Sequence, residues 1–179
     1  KLLMANDEGS ALELASQLET MNQARRDLDE DLTEEAIALM AEQPPGRSCT
    51  IVHGEGWHRG VLGIVASRLV EQRYCPTIVL SEENEVLTGS ARSIPGIDIH
   101  EAFEKCRHLI EQFGGHPMAA GLTIRKENMK AFTVELNEAI ISQTEGNTPK
   151  PTVAYHMPIN LNDLNPTMYK EFEKLGPFG

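Results

Sequence analysis

The sequence predicts an α/β protein: a mixed β-sheet with helices packed on it, preceded by one long helix. Three observations predict this. Apolar residues are spaced at helical intervals through the first forty or so positions, and the pattern stops at Pro44-Pro45-Gly46. From residue 48 on, short apolar runs alternate with amphipathic ones in the order β-α-β-β-α-β-α, the signature of a sheet covered by helices. Apolar residues make up 40% of the 179 residues, enough for a globular core in one ordinary domain or two small ones.

Residues 10–43 read as the long helix. Leu14, Leu18, Met21, Leu28, Leu32 and Leu39 fall at three- and four-residue steps, with gaps at Arg25 and Glu35. Ser10 with Glu13 three residues on has the form of a capping box. Next, 49–53 reads as a strand and 60–73 as a helix with Val61, Ile64, Val65 and Leu69 on one face. Residues 77–80 and 85–92 read as strands joined by a turn at 81–84. Asp98, followed by Glu101, caps a predicted helix running to about Gln112. Residues 118–124 then read as a strand and 126–142 as a helix. Beyond a polar linker at 144–151, a strand is expected over 152–161 and a helix over 163–174. The domain boundaries expected are 1–46 (acidic linker helix), 47–143 (sheet domain) and 144–179 (linker and the beginning of a further domain).

No run of about 18 apolar residues occurs, and no basic-then-apolar start, so neither a membrane helix nor a signal peptide is expected. Cys49, Cys75 and Cys106 are odd in number and far apart, which argues against structural zinc and a disulfide framework and for reduced thiols in a cytoplasm. The chain starts without Met and stops at Leu175-Gly176-Pro177-Phe178-Gly179, so a piece of a longer protein is expected. The net charge of −11 argues at first against nucleic acid. Its distribution weakens that: residues 1–46 hold 3 basic against 11 acidic side chains, and 47–150 hold 11 against 13. A local phosphate site in the second block is compatible with these counts.

Three stretches carry candidate chemistry. In residues 53–69, HGEGWHRGVLGIVASRL, Gly54, Gly56 and Gly60 form a strand-to-helix turn where main-chain N–H groups could face an anion, with His53, His58 and Arg59 beside it. A tight turn lidded by Trp57 explains the same residues. In 88–96, TGSARSIPG, Ser90, Arg92 and Ser93 at a strand end suit phosphate oxygens, Arg by two parallel N–H bonds. A surface arginine in a loop is the equal alternative. In 113–121, FGGHPMAAG, Gly114 and Gly115 would let a ligand approach the main chain and leave His116 free of bulky neighbours. Gly114 alone could instead be a helix C-cap glycine. Asp98 and His100 have a D-x-H spacing, which the capping role of Asp98 already explains.

Taken together, W-x-x-G-V-x-G-x-x-A-S-R-L (57–69), G-S-A-R-S (89–93), D-I-H-E (98–101) and F-G-G-H-x-M-A-A-G-L (113–122) resemble the DHH-associated domain of the RecJ family, over about residues 48–143. RecJ proteins are single-strand-specific DNA exonucleases of the DHH phosphoesterase superfamily. Residues 1–45 are similar to that family's linker helix, and the LGPFG tail to the start of its OB-fold. The resemblance implies 5′-to-3′ degradation of single-stranded DNA in repair and recombination, with manganese or magnesium bound by the intact enzyme. It implies a helicase and a single-strand-binding protein as partners. The metal ligands of the family lie in an N-terminal domain, and no D-H-H occurs in this sequence. No catalytic residue and no metal ligand is therefore expected here, and this chain alone is expected not to cut DNA. Carried over, His116 and Arg92 hold substrate phosphates, Gly114 and Gly115 shape the loop, Ser90 and Ser93 assist, and Trp57, His58 and Arg68 are supporting. Other relatives act on oligoribonucleotides or small nucleotides, or bind RNA or protein without catalysis; the GSARS and DIHE matches disfavour these.

Overall fold

The structure, a computed structural model, describes residues 2–44, 46–147, 149–153, 155 and 158–176. A long helix, α1 (Glu8–Ala41), leads into β1 (Thr50–Glu55), α2 (Leu62–Gln72), β2 (Thr77–Glu83) and β3 (Val86–Arg92). Then follow α3 (Ile99–Lys105), β4 (Ile110–His116), β5 (Ala119–Arg125), α4 (Met129–Gln143) and α5 (Pro166–Glu173). The sheet has five strands in the order β1-β2-β3-β5-β4. Only β1 and β2 run parallel, as the α2 crossover between them requires; the other pairs are antiparallel. The fold is thus the α/β mixed sheet that the sequence predicts, with one strand more.

That strand is β4. Residues 98–112 were expected as one helix, but α3 ends at Lys105, a 3-10 turn spans Arg107–Leu109, and Ile110 begins the edge strand. Glu111 and Gln112 favour helix locally; pairing with β5 overrides them. Gly114 is consequently a strand residue, not a helix cap. The β2–β3 turn is also tighter than expected. It is a two-residue loop with Asn84 and Glu85 both at positive φ, the backbone that suits the right-handed twist of a hairpin. At the other end of α1, Asp7 is the N-cap rather than Ser10: its carboxylate accepts from Ser10 N at 2.8 Å and from Ser10 Oγ at 2.7 Å. No strand forms among the described residues of 152–161, and Ala154, His156 and Met157 lie outside them. The last three residues of the LGPFG tail lie outside them too.

The two sheet faces are covered unequally. On one, α3 and α4 bury Ile51, Ile78, Leu80, Leu87, Ala91, Ala120, Leu122 and Ile124 under Phe103, Phe132, Leu136 and Ile140. On the other, α2 packs across β2 and β3, and α1 lies against β1 and α2. Val52 and Val79 there join Val61, Leu62, Val65, Ala66 and Leu69 in a second core. The second half of α1 belongs to this core through Leu32, Ala36 and Met40, so it is not a bare linker. Its first half presents Leu18 and Met21 to solvent, and Leu28 is exposed as well.

Candidate functional site

Among the described residues no helix covers β5 and β4 on the α2 side of the sheet; His116 and Gly114 lie there, with Arg92 and Ser90 beside them on β3 at the edge of α2. Residues opposite each other across antiparallel strands point to the same face. His116 pairs with Ala119, Ala119 with Arg92, and Arg92 with Thr77. His116 and Arg92 are therefore two strands apart on one face, with Cα atoms about 10 Å apart at the usual strand spacing, and only the Ala119 methyl between them. The next row along is Gly114–Gly121–Ser90 and the one after it Gln112–Thr123–Thr88. Thr88 and Thr123 share a hydrogen bond at 3.2 Å. The two further rows, without Ser90, floor a shallow depression of about 340 Å³, lined by Thr88, Gln112, Gly114, Gly121 and Thr123 together with Gly89, Phe113 and Leu122; Arg92 and His116 stand outside its lining.

Backbone ties fix the two polar side chains relative to each other. The turn after His116 accepts from Ser93 N at Met118 O (2.9 Å) and from Ile99 N at Pro117 O (3.0 Å). Gln143 then clamps the start of α3: Asp98 N donates to its Oε1 at 2.7 Å and its Nε2 donates to Asp98 O at 2.8 Å. Arg92 is half-buried at the foot of α2, and its Nη1 donates to Ala91 O at 2.9 Å. Among the described residues no carboxylate pairs with it, and the exposed His116 ring makes no hydrogen bond. A half-buried guanidinium with most of its five donors unspent is chemically a receptor for an oxyanion.

The two glycines before His116 differ in kind. Gly115 has φ +147, and a Cβ there would lie 2.4 Å from Ala119 O and 2.5 Å from Ala120 Cα, so the sheet itself demands glycine. A Cβ on Gly114 would meet nothing within 4 Å. Glycine in a strand weakens it, and where packing does not ask for it, it marks close approach of something else.

The remaining expected residues are not on this surface. Ser93 is buried, and its Oγ donates to Ile97 O at 2.8 Å, bracing the loop after β3. Trp57 is buried over Gly54 and donates from Nε1 to Glu35 Oε2 of α1 at 3.0 Å. Arg68 is 2.6 Å from the buried carboxylate of Asp29 and so fastens α2 to α1. His58 Nδ1 accepts from Gly60 N at 3.2 Å, holding the turn before α2. Each of these four side chains has a bonding partner within the fold, and a ligand contact for them rests on the family resemblance alone. His100 stacks on Phe113 with ring centroids 5.4 Å apart, and Asp98 accepts from Glu101 N at 2.9 Å as the cap of α3. Among the described residues no three of His, Cys, Asp and Glu are grouped to hold a metal ion. Burial pushes the Cys49 thiol up to about 12, with Cys75 adding to it, and lifts Cys106 to about 11. Cys75 is raised as well, mainly by burial. All three are protonated at neutral pH and are poor nucleophiles. No helix among the described residues is long and apolar enough to cross a membrane.

Comparison with known proteins matches residues 46–142 to the family model of the DHHA1 domain. The chain is 36% identical over 180 residues to the single-stranded-DNA-specific exonuclease RecJ of Bacillus subtilis, covering 99% of this chain and 23% of that protein. Against the protein of the same description from Haemophilus influenzae it is 33% identical over 191 residues, covering 100% of this chain and 33% of the relative. The chain therefore spans a quarter to a third of the length of these curated relatives. Among solved structures, RecJ in complex with Mg2+ from Thermus thermophilus superposes with a TM-score of 0.83 at 26% identity, over 99% of this chain and 27% of that one. Exonuclease RecJ bound to manganese superposes with a TM-score of 0.67 at 27% identity, over 78% of this chain and 34% of that one.

Proposed function

The chain belongs to the DHHA1 domain family, and on that premise we propose that its uncovered sheet face is the substrate-binding wall of a RecJ-like exonuclease acting on single-stranded DNA. One observation carries the reading: the row Arg92–Ala119–His116 sets a guanidinium at the edge of α2, with no carboxylate paired to it among the described residues, and an exposed imidazole on one sheet face. Arg92 grips a backbone phosphate by paired N–H bonds, and His116 donates to the same phosphate or its neighbour. Ser90 lies one row away and adds a hydroxyl. Gly114 keeps the floor flat enough for a sugar–phosphate chain to lie on it. These groups are held before substrate arrives, so they offset phosphate charge with little reorganisation.

Related structures hold Mg2+ or manganese. The described residues do not fit such an ion: no three of His, Cys, Asp and Glu are grouped among them, the nearby carboxylate of Asp98 is spent on capping and His100 packs on Phe113. In this reading the metal, manganese or magnesium, and the bond cleavage belong to parts of the longer enzyme outside this chain. What this chain supplies is grip and orientation of the strand.

The test is titration of a labelled single-stranded deoxyoligonucleotide into the protein at low salt. Arg92→Ala is expected to weaken binding about tenfold or more, the loss typical of a hydrogen bond to a charged group. Arg68→Ala is expected to leave binding unchanged while lowering the melting temperature, because it strands the Asp29 carboxylate. Parent-like affinity in Arg92→Ala would sink the reading. Preference for an oligoribonucleotide of the same length would redirect it to RNA. Affinity should fall as salt rises, by an amount reflecting the few phosphates held.

A further inference from the structure

The Arg92 guanidinium rests against the first turn of α2 at a glycine. A Cβ built on Gly63 would lie 2.5 Å from Arg92 Nη2 and 3.3 Å from its Cζ, and the third-nearest atom is Nη1 of the same side chain. No main-chain atom is among those neighbours. Gly63 is helical and its φ is outside the left-handed region, so any L residue could adopt its backbone. Alanine there would even favour the helix. The fold does not ask for glycine at 63; the side chain of Arg92 does.

We propose that Gly63 is a positioning residue. By having no side chain, it forms the seat that holds the Arg92 guanidinium where a substrate phosphate meets it. The inference rests on the reading of Arg92 as a phosphate-binding group. The seat works with a second constraint, the bond from Nη1 to Ala91 O at 2.9 Å. Tethered on one side and seated on the other, a long and otherwise mobile side chain gives up less freedom on binding. The helix start beside it does not attract the cation. α2 starts here with no side-chain cap, and a helix start carries partial positive charge. A cation held in such a place is suited to meeting an anion, not to stabilising the fold.

Three variants of this chain test it: Gly63→Ala, Arg92→Ala and the double variant. Each is melted and titrated with a 5′-phosphorylated single-stranded deoxyoligonucleotide, and the Arg92 Nε–H signal is followed by NMR in Gly63→Ala without DNA. The expected result is a melting temperature no lower than the parent's for Gly63→Ala, a displaced Nε–H signal, and binding weakened about as far as in Arg92→Ala, roughly tenfold. The double variant should bind no worse than Arg92→Ala, since the two act through one group. The proposal is overturned if Gly63→Ala melts lower, if the Nε–H signal stays in place, or if Gly63→Ala binds like the parent while Arg92→Ala does not. It is also overturned if the two losses add. Parent-like binding by Arg92→Ala is a separate outcome: it removes the phosphate reading itself, whatever Gly63 does to the side chain.

Discussion

On one face of the same sheet, β1 and β2 carry Val52 and Val79, while β5 and β4 carry Gly121, Thr123, Gln112 and Gly114. The first pair is buried under α1 and α2. The second set floors an open depression with hydroxyls, an amide and bare backbone. Both halves obey the same alternation of side chains along a strand, so periodicity does not separate them. Volume does. Where a helix lies on the sheet, branched apolar side chains fill the gap. Where none does, small and polar residues keep the surface accessible, at a cost in strand stability that packing does not return.

The contrast can be pressed from both sides. The largest effect is expected in the covered half. Leu69, fully buried between α2 and the sheet, should cost about 2–5 kcal/mol on replacement by Ala, read from denaturant unfolding. Next comes the adjacent pair of glycines. Gly115→Ala forces a Cβ into the β5 main chain at positive φ, and a loss of about 1–3 kcal/mol is expected. Gly114→Ala, with open space above it, should unfold at or above the parent's midpoint yet bind single-stranded DNA less well. Equal stability losses at 114 and 115 would show that the open half is packed after all. The smallest effect is a pH dependence at the far end of the strands. Lys126 donates to Glu82 and holds its carboxyl below the ordinary 4.5, while Glu82 raises Lys126 above 10.5. A lowered carboxyl pKa gives stability that is full above 4.5 and lost as the pH falls through the folded value. The raised Lys126 gives stability lost only as the pH climbs beyond 10.5. The melting difference between parent and Glu82→Gln should therefore be steady near neutrality and shrink as the pH falls below 4.5; a difference that does not shrink in acid would count against the pair.

Much of this was legible in the sequence, for a physical reason. β2, β3 and β5 announce themselves because their apolar residues alternate or run unbroken, and α2 because its buried face repeats at helical steps. His116 and Arg92 stood out because polar side chains among small ones have little packing work to do. β4 was not legible: a strand with two glycines and helix-favouring Glu111 and Gln112 takes its shape from β5, a partner that local propensity does not see. For Ser93, Trp57 and Arg68 the sequence offers both bracing and binding, because hydroxyl, indole and guanidinium serve either; their bracing partners, Ile97 O, Glu35 and Asp29, are visible only in the fold. Gly63 was invisible for the opposite reason, since a missing side chain has meaning only beside the one that occupies its space.

The anchoring of α1 has a mechanical consequence. Its 34 residues make a rod about 50 Å long. The Asp29–Arg68 and Glu35–Trp57 bonds, with Leu32, Ala36 and Met40, clamp the second half to the sheet domain. The first half runs on as one continuous helix with no break. Such a beam, clamped along its second half, has no break between Leu14 and the clamp to absorb a load. A sideways push near Leu14 reaches the clamp as torque, multiplied by the length of the arm, and bears on the same α2 whose first turn seats Arg92.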